Sequence, residues 1–508
     1  MIAPPEIAPA VLAPIGFTAI GAMVILVQDA LLARGSSLLG RRVTPVYAGT
    51  LNAFTAMLFL SLALYVTVVA YASGDSVVFQ LANPLYQQDR FGSFVTALLI
   101  VVGILTCALS VSYLSELGIN HGAYYALVLA SITGAIFLVG AIDLLSVYVG
   151  LELMTIPIYV LAGFDQARLR SNEAAIKYFV MGSFATAILL YGMALTYGAT
   201  GTTSFGAIRD AFDPTSRVAM LGVGLMMIGF GFKVASVPFH QWAPDVYEGA
   251  PAPITAFMSV AVKAAAFAAL LRLVATAIGP ETDQLSDVFA AFAALSMIVG
   301  NVMAVIQENV KRMLAYSSIG HAGALLIGLA TGSPDGYGAV AFYLVVYAFM
   351  NLGAFGVVIA LARNGQECER VEDFAGLART RPGLAAAMTL FMLSLAGIPG
   401  TAGFMAKFNL VVVAVRVDLI WLPITLVVTS VISLFYYLRI PVLMTMHEPS
   451  GPPPRVGIAS GEALSLCLCA AVVVYLGFFP NHGMLPWLGL ELPVLDWASD
   501  SVTDLFGS

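Results

Sequence analysis

The sequence predicts an all-α polytopic membrane protein, and three observations support this fold class. Of the 508 residues, 60% are hydrophobic and only 10% are charged, whereas about a quarter of the residues in a soluble protein are charged. Apolar runs recur along the chain at the length of about 20 residues that a helix needs to cross a bilayer core. The runs lack the alternation of a β-barrel, and backbone groups in lipid must be satisfied within their own segment, so each run is predicted to be a helix.

About fourteen such segments can be placed, and we number them in chain order. They begin near Val11, Pro45, Phe91, Ala123, Leu144, Ala174, Val218, Pro253, Leu285, Met313, Ala339, Gly383, Leu419 and Ala463. The N-terminal sequence MIAPPEIAPA lacks the basic region of a secretory signal, so segment 1 is expected to remain in the membrane. The segments group into residues 1–120 (segments 1 to 3), 121–280 (4 to 8), 281–445 (9 to 13) and 446–508 (segment 14 and a tail).

Basic residues indicate the orientation, because Lys and Arg near helix ends accumulate on the cytoplasmic side. With the N-terminus outside, most of the 22 basic residues fall in inward loops. The inward residues are Arg34, Arg41, Arg42, Arg168, Arg170, Lys177, Lys311, Arg312, Arg363, Arg370, Arg379, Arg381, Arg439 and Arg455. The outward residues are Arg90, Arg209, Arg217 and Arg416. Both termini are therefore predicted on the outer side.

Several function classes are excluded by composition. The net charge of -7 is small, and the basic residues form no stripe that would attract a nucleic acid. The four cysteines offer neither a CxxC pair nor a mixed Cys/His spacing, so neither an iron-sulfur cluster nor a zinc site is predicted. There is no phosphate-binding glycine loop or nucleophile elbow. The chain is thus expected to hold no cofactor, and any redox chemistry is expected in another chain.

Lysines inside the apolar segments are the first candidate functional residues. The chain has five lysines against 17 arginines, and three of the five, Lys233, Lys263 and Lys407, lie in membrane segments. An arginine does not release its proton at physiological pH, whereas a lysine can do so when burial disfavours its charged form. Snorkelling or permanent neutralisation of a carboxylate is the alternative for any one of them. The set of three favours proton exchange, while Arg272, near the outward end of segment 8, is expected to be an anchor.

A single acidic residue, Glu152, lies in the middle of segment 5. A carboxylate in hydrocarbon needs a partner or water, and Lys233 is the expected partner. Two such groups influence each other's proton affinity, which is the coupling that a pump requires. A permanently closed ion pair between segments 5 and 7 is the alternative.

Two segments contain helix-breaking residues next to their lysine. Segment 7 reads GFGFKVASVPFHQW, and segment 12 reads LAGIPGTAGFMAKF. Glycine and proline would unwind these helices locally, and interrupted spans at corresponding positions of two halves are typical of transporter repeats. Each interrupted span is the fourth in a group of five, which predicts an internal duplication with broken helices 7 and 12. Simple packing kinks are the alternative.

Two histidines extend this polar pattern. Ser317 and His321 are four residues apart and therefore share a helix face, which would suit a proton relay. His240 follows the break in segment 7. Each histidine taken alone could equally be a structural residue.

Four stretches carry a resemblance to a known family: KYFVMGSFATAILLYGMALTYG, KVASVPFHQWAPDVYEGAPAPITAF, NVKRMLAYSSIGHAG and LSLAGIPGTAGFMAKF. They resemble the antiporter-like N subunits of bacterial respiratory complex I, the NADH-quinone oxidoreductases, and the resemblance covers roughly residues 120–420. It implies fourteen transmembrane helices, two inverted five-helix repeats and proton translocation driven by quinone reduction elsewhere in the complex. The residues to which the resemblance gives roles are Glu152 and Lys233 as a coupling pair, Lys263 as the central proton carrier, Lys407 in a second half-channel, Glu173 as a second glutamate, and His240 and His321 as motif histidines.

The same resemblance implies partners and a location. The complex would hold FMN, iron-sulfur clusters and a quinone in other subunits. Its membrane partners would be an antiporter-like M-type neighbour and small K-, J- and A-type subunits, in a bacterial inner membrane. The M-type subunit has a glutamate where this chain has Lys407, and the L-type has a long lateral helix. A subunit of a multi-subunit cation/proton antiporter and a scaffold with a permanently satisfied polar axis remain as alternatives.

Overall fold

The computed structural model describes residues 11–33, 37–38, 41–42, 45–74, 76–80, 84–279, 283–362, 367–449, 458–481 and 493–506. These residues are nearly all helical, as the sequence predicts. The helices are α1 (Ala13–Ala33), α2 (Pro45–Ser73), α3 (Arg90–Leu117), α4 (Gly122–Val139), α5 (Leu144–Ala162), α6 (Leu169–Thr200), α7 (Phe205–Ala211), α8 (Arg217–Val234), α9 (Trp242–Gly249), α10 (Ala252–Phe257), α11 (Lys263–Leu273), α12 (Asp283–Val305), α13 (Val310–Ala330), α14 (Pro334–Ala360), α15 (Leu377–Thr380), α16 (Pro382–Ala396), α17 (Ala402–Arg416), α18 (Trp421–Met446), α19 (Ser460–Phe478) and α20 (Val494–Phe506).

Thirteen helical stretches of the described residues are long and apolar enough to cross a membrane. The one remaining predicted segment, segment 12, is divided into the two short helices α16 and α17, which confirms the all-α membrane fold with a break in segment 12. Segment 7 is likewise divided, into α8 and the short α9. Segment 8 is a continuous run in which the π-helical turns Met258–Val262 and Val274–Ile278 follow α10 and α11. The predicted five-helix groups and their boundaries stay a prediction.

At both breaks, the helix before the break is terminated by a residue in the left-handed backbone conformation. In segment 7, α8 ends at Ala235, whose φ of 59° is unusual for a residue with a Cβ atom. In segment 12, α16 ends at Gly397 with φ 86°, and Gly400 follows with φ 85°. Glycine adopts this conformation without steric cost, so the GIPG sequence stops one half-helix and lets the next begin.

Burial divides the helices into an inner and an outer set. In the spans Ala252–Ile278 and Val310–Ala330, all residues of the most apolar stretch are buried. In α1 and α2, only 28% of the residues of that stretch are buried. The inner helices α10, α11, α13 and α14 are therefore shielded from lipid by the others. This arrangement places Lys263, the first residue of α11, in the middle of the protein.

Short elements outside the spans are not predicted by hydropathy. Two antiparallel hairpins are formed by β1 (Ser37–Leu38) with β2 (Arg41–Arg42) and by β3 (Val77–Gln80) with β4 (Pro84–Gln88). In the second, Val77 pairs with Gln88. The amphipathic helix α20 packs against α14 and α3. Arg34, Arg363, Arg455 and both chain ends, which bear on the predicted orientation, lie outside the described residues.

Candidate functional site

Lys263 is held in the protein interior by neutral groups. Its side chain is buried, and Nζ donates to the backbone oxygen of Ser318 at 2.6 Å and also to the Ser318 hydroxyl. Nζ also lies 5.6 Å from the ring centroid of Tyr347, whose hydroxyl donates to Ser318 Oγ at 2.9 Å. The π-helical turn directly before Lys263 shifts the face on which the lysine lies, a feature that is frequent at functional sites.

Lys233 lies in the last turn of α8, directly before the break, and is also buried. Its Nζ donates to Thr155 Oγ1 at 3.3 Å and lies 5.8 Å from the ring centroids of Tyr159 and Phe232. The indole of Trp242 donates to the backbone oxygen of Phe232 at 2.9 Å, so the start of α9 is tied back onto the end of α8. The break thus has a defined geometry around the lysine.

Glu152 lies one turn before Thr155 on α5 and is half-buried. The structure describes both Glu152 and Lys233 and shows no ion pair between them, although the charge of Glu152 acts on Lys233. Glu152 Oε1 is buried and has no hydrogen-bond partner. The two groups are near neighbours that do not form the closed pair considered as an alternative, and the carboxylate keeps an unused acceptor.

Lys407 lies on α17, after the break in segment 12, and is partly exposed. Its Nζ donates to the backbone oxygens of Leu395 at 3.2 Å and Ala396 at 2.9 Å, and to Ser430 Oγ at 3.2 Å. The last carbonyl groups of α16 have no intrahelical donors, and a helix C-terminus attracts a cation. The break therefore creates the binding position of this lysine.

Hydroxyl groups surround His321, and a small cavity lies between His321 and this lysine. His321 is buried, with Nδ1 2.7 Å from the Tyr343 hydroxyl and Nε2 3.1 Å from the Tyr437 hydroxyl. Tyr437 also forms a hydrogen bond with Ser317, so Ser317 and His321 do share one polar face. A cavity of about 10 Å³ is lined by His321, Tyr437 and Lys407, among others, which is room for about one water molecule.

Two residues predicted for the site lie away from this axis. Glu173 is exposed on α6 and forms an ion pair with Lys177 at 2.8 Å on the protein surface. His240 is half-buried between α8 and α9, and its Nδ1 is buried without a hydrogen-bond partner. Neither residue contacts Lys233, Lys263 or Lys407 in the described part of the chain.

Arg272, predicted to be an anchor near the outward end of segment 8, is held inside the protein by partners that the sequence did not indicate. It is buried and forms a bidentate ion pair with Asp89, with N–O distances of 2.6 and 2.8 Å. Its Nε donates to the backbone oxygen of Val139 at 2.9 Å. Asp89 also accepts from the amide of Gly92 as the N-cap of α3. Arg272 therefore ties segment 8 to segments 3 and 4.

A buried ionic cluster of Lys311, Arg168, Glu367 and Glu369 was missed in the sequence, where Lys311 and Arg168 were counted as loop residues. Lys311 is completely buried, and its Nζ donates to Glu367 at 2.8 Å. Arg168 donates to Glu367 at 2.7 Å and also binds Glu369. Burial alone would raise the pKa of Glu367, yet Lys311 and Arg168 hold it below its ordinary value. Burial and the charge of Glu367 raise the pKa of Glu369. The sequence signal was the pair of glutamates in ECE, beside an apolar segment.

The protein combines many membrane-length helices with three lysines, and each lysine lies beside a helix break or a π-helical turn. These features define an antiporter-like membrane protein. Residues 141–433 match the transmembrane family "NADH:quinone oxidoreductase/Mrp antiporter". The chain is 44% identical to NADH-quinone oxidoreductase subunit N of Trichlorobacter lovleyi, over 77% of this chain and 82% of the relative. It is 41% identical to subunit N 1 of Sorangium cellulosum, over 95% and 98%. The chain belongs to the NADH-quinone oxidoreductase subunit N family.

Solved structures agree with this assignment. A chain of respiratory complex I from Thermus thermophilus is similar to this one with a TM-score of 0.77 and 32% identity, over 95% of this chain and 99% of that one. A chain of the Mrp complex from Dietzia sp. has a TM-score of 0.83 at 22% identity, over 98% of each chain, and shares the fold. Among the described residues, no group of three or more His, Cys, Asp or Glu side chains is placed to hold a metal ion.

Proposed function

We propose that this chain carries protons through the membrane part of an NADH-quinone oxidoreductase, driven by quinone reduction in other subunits. One observation carries the proposal: three lysines in membrane helices donate to neutral oxygens and not to carboxylates. A lysine with neutral partners can lose its proton without leaving a buried, unpaired carboxylate. The amine then accepts a proton from one neighbour and passes it to the next.

The family resemblance and the local partners of each residue support a role for each one. Glu152 and Lys233 form the coupling pair, in which a proton on one group alters the affinity of the other. Lys263 is the central carrier and binds Ser318. His321 lies three residues after Ser318 on α13, on the way to Lys407.

The approach to this axis lies beside α9. Glu173 lines a polar surface cavity of about 170 Å³ together with Lys177 and Asp245. We assign Glu173 to the uptake of protons from this cavity. His240, in the break after Lys233, is assigned to the same approach, because its buried Nδ1 has no hydrogen-bond partner and is free to accept a proton.

The family also supports a setting for the chain. It would lie in a bacterial inner membrane with both termini on the outer side, beside an antiporter-like M-type neighbour and small K-, J- and A-type subunits. FMN, iron-sulfur clusters and the quinone would be held by the other subunits.

The proposal is tested with Lys233→Ala and Lys263→Ala in the complete complex, reconstituted in vesicles. Each change removes a proton carrier, so proton uptake per quinone reduced should fall several-fold while the complex assembles. Arg416→Ala is the control, because Arg416 is an exposed cation paired with Asp335 at 2.8 Å. Unchanged pumping in both lysine variants would overturn the proposal. Purification of the protein in mild detergent distinguishes this proposal from the antiporter alternative. Flavin and iron-sulfur subunits copurify with a subunit of the redox complex and are absent from an antiporter.

A further inference from the structure

The ionic cluster of Lys311, Arg168, Glu367 and Glu369 is a group of titratable side chains that the lysine axis does not use. Its members come from α13, from the N-cap of α6 and from the linker after α14. Burying so many charges is unfavourable unless each is paired and hydrogen-bonded. The way in which each glutamate is paired therefore indicates what the cluster does.

Glu367 is bound as a firmly held anion. Its carboxylate accepts from Lys311 at 2.8 Å and from Arg168 at 2.7 Å. It also accepts from the amide of Ala252 at 2.9 Å and from the Tyr113 hydroxyl. Four donors satisfy the acceptor positions of one carboxylate, so Glu367 has little tendency to bind a proton.

Glu369 is held less firmly. Apart from Arg168, its contacts are an amide donor from Asn309 at 3.2 Å, Lys311 at 3.6 Å and Arg170 at 3.7 Å. Its carboxyl group is also in hydrogen-bonding contact with that of Glu367. Two carboxyl groups in contact resist double ionisation, and the one with the weaker donors takes the proton. A proton bound to this cluster therefore belongs on Glu369.

Water reaches Glu369 from one side. Its side chain is 10% exposed, and its neighbour Arg170 is 62% exposed. Arg170 lines the polar cavity described above, together with Asp245 and Glu248. Proton exchange between Glu369 and solvent thus needs only a short path past Arg170.

The lysine axis lies on the other side of the cluster. Lys311 and Ser318 lie on the same face of α13, two turns apart, with Ser318 about 10 Å further along the helix. Ser318 binds Lys263, and it also forms a hydrogen bond with Tyr247 of α9. The cluster therefore lies between the polar cavity and the central lysine.

We propose that Glu369 is the proton-loading group of this protein. It takes up protons from the water of the polar cavity and supplies them to Lys263. The proposal rests on the proposed function. A proton from the cavity binds a carboxylate oxygen of Glu369 and forms the neutral acid. That proton then passes, by way of water and the Tyr247 and Ser318 hydroxyl groups, to the neutral amine of Lys263, which becomes an ammonium, and Glu369 returns to a carboxylate. Lys311 and Arg168 keep their charges and act as positioning residues.

The test is Glu369→Gln in the complete complex in vesicles. Glutamine keeps the shape and the acceptor oxygen for Arg168 but does not bind a transferable proton, so the pumping rate should fall about tenfold or more. Glu308→Gln is the matched control, since Glu308 is a nearby carboxylate that is 76% exposed and paired only loosely with Arg370 at 3.7 Å. A wild-type rate in Glu369→Gln would overturn the proposal.

Glu369→Asp distinguishes proton loading from a structural role. It keeps a titratable group with a lower ordinary pKa. Pumping should recover, and its decline with rising pH should begin at a lower pH than in the wild type, because the group must be protonated to deliver. An unchanged pH profile would overturn the proposal, and this test also decides the case in which Glu369→Gln does not assemble. Lys233→Ala and Lys263→Ala, measured in parallel, separate the two proposals. Normal pumping in both lysine variants overturns the proposed function, whereas a loss in them beside normal pumping in Glu369→Gln overturns only the role of Glu369.

Discussion

Buried cations occur in two kinds of surroundings in this protein. Along the axis, Lys233 and Lys263 donate to hydroxyl and backbone oxygens and lie near aromatic rings. In the ionic cluster, Lys311 donates to Glu367 and to a backbone oxygen. All three lysines are at most 2% exposed, so burial does not distinguish them. The charge of the partner does.

The difference has a direct consequence for protonation. Deprotonating Lys311 would leave the Glu367 carboxylate, which is only 4% exposed, with one cation fewer, and this is unfavourable. Deprotonating Lys263 leaves only dipoles behind, and those can reorient. Under the proposed function, the same residue type is therefore a fixed charge in one region and an exchangeable one in the other.

Removing the fixed charge should have the largest effect. Lys311→Met leaves the Glu367 carboxylate buried without its ammonium, and breaking a buried pair from one side costs about 3–5 kcal/mol. We expect a marked loss of assembled complex and a lower midpoint of thermal unfolding in detergent. Arg370→Met is the control, because Arg370 is 66% exposed and only loosely paired. Equal stability of the two variants would contradict the comparison.

A change that keeps the charge on the axis should have the next largest effect. Lys263→Arg places a guanidinium against Ser318 that does not release a proton, so pumping should fall about tenfold or more while the complex assembles. The measurement is the rate of vesicle acidification per quinone reduced. Full activity would show that a positive charge at residue 263 is sufficient, and that the neutral partners do not matter for transport.

Interrupting the hydroxyl chain should have the smallest effect. Tyr437→Phe removes the group that contacts both Ser317 and His321, and we expect a several-fold slower proton transfer without loss of assembly. Tyr125→Phe is the matched control, because Tyr125 is likewise buried but its hydroxyl donates to Asn120 at 2.9 Å, away from these residues. If both variants pump equally well, the axis between Lys263 and Lys407 does not run through Tyr437.

Much of the fold was predictable, because a membrane span depends on the hydropathy of its own consecutive residues. The apolar segments match the observed spans, and the GIPG sequence places the break in segment 12 at Gly397 and Gly400. The hairpin of β3 and β4 was missed, since its strands of four and five residues lie between spans and give no hydropathy signal. Helix α7 was missed for the same reason of length.

The candidate site was predictable in part. A lysine in an apolar run is conspicuous in any sequence, so Lys233, Lys263 and Lys407 were found. The partner of Arg272 was not predicted, because Asp89 is remote in the chain. Lys311 was misjudged because it lies at the very start of a helix, where a cation is ordinarily solvated.

The sequence by itself determined which segments enter the membrane and which of them carry a charge, because both follow from residue type and local spacing. Only the tertiary structure decided what each charge meets. Lys263 meets Ser318 across 55 residues of sequence, and Arg168 meets Glu367 across 199. A lysine surrounded by dipoles can exchange its proton and a lysine against a carboxylate keeps it, and that choice depends on contacts between distant parts of the chain.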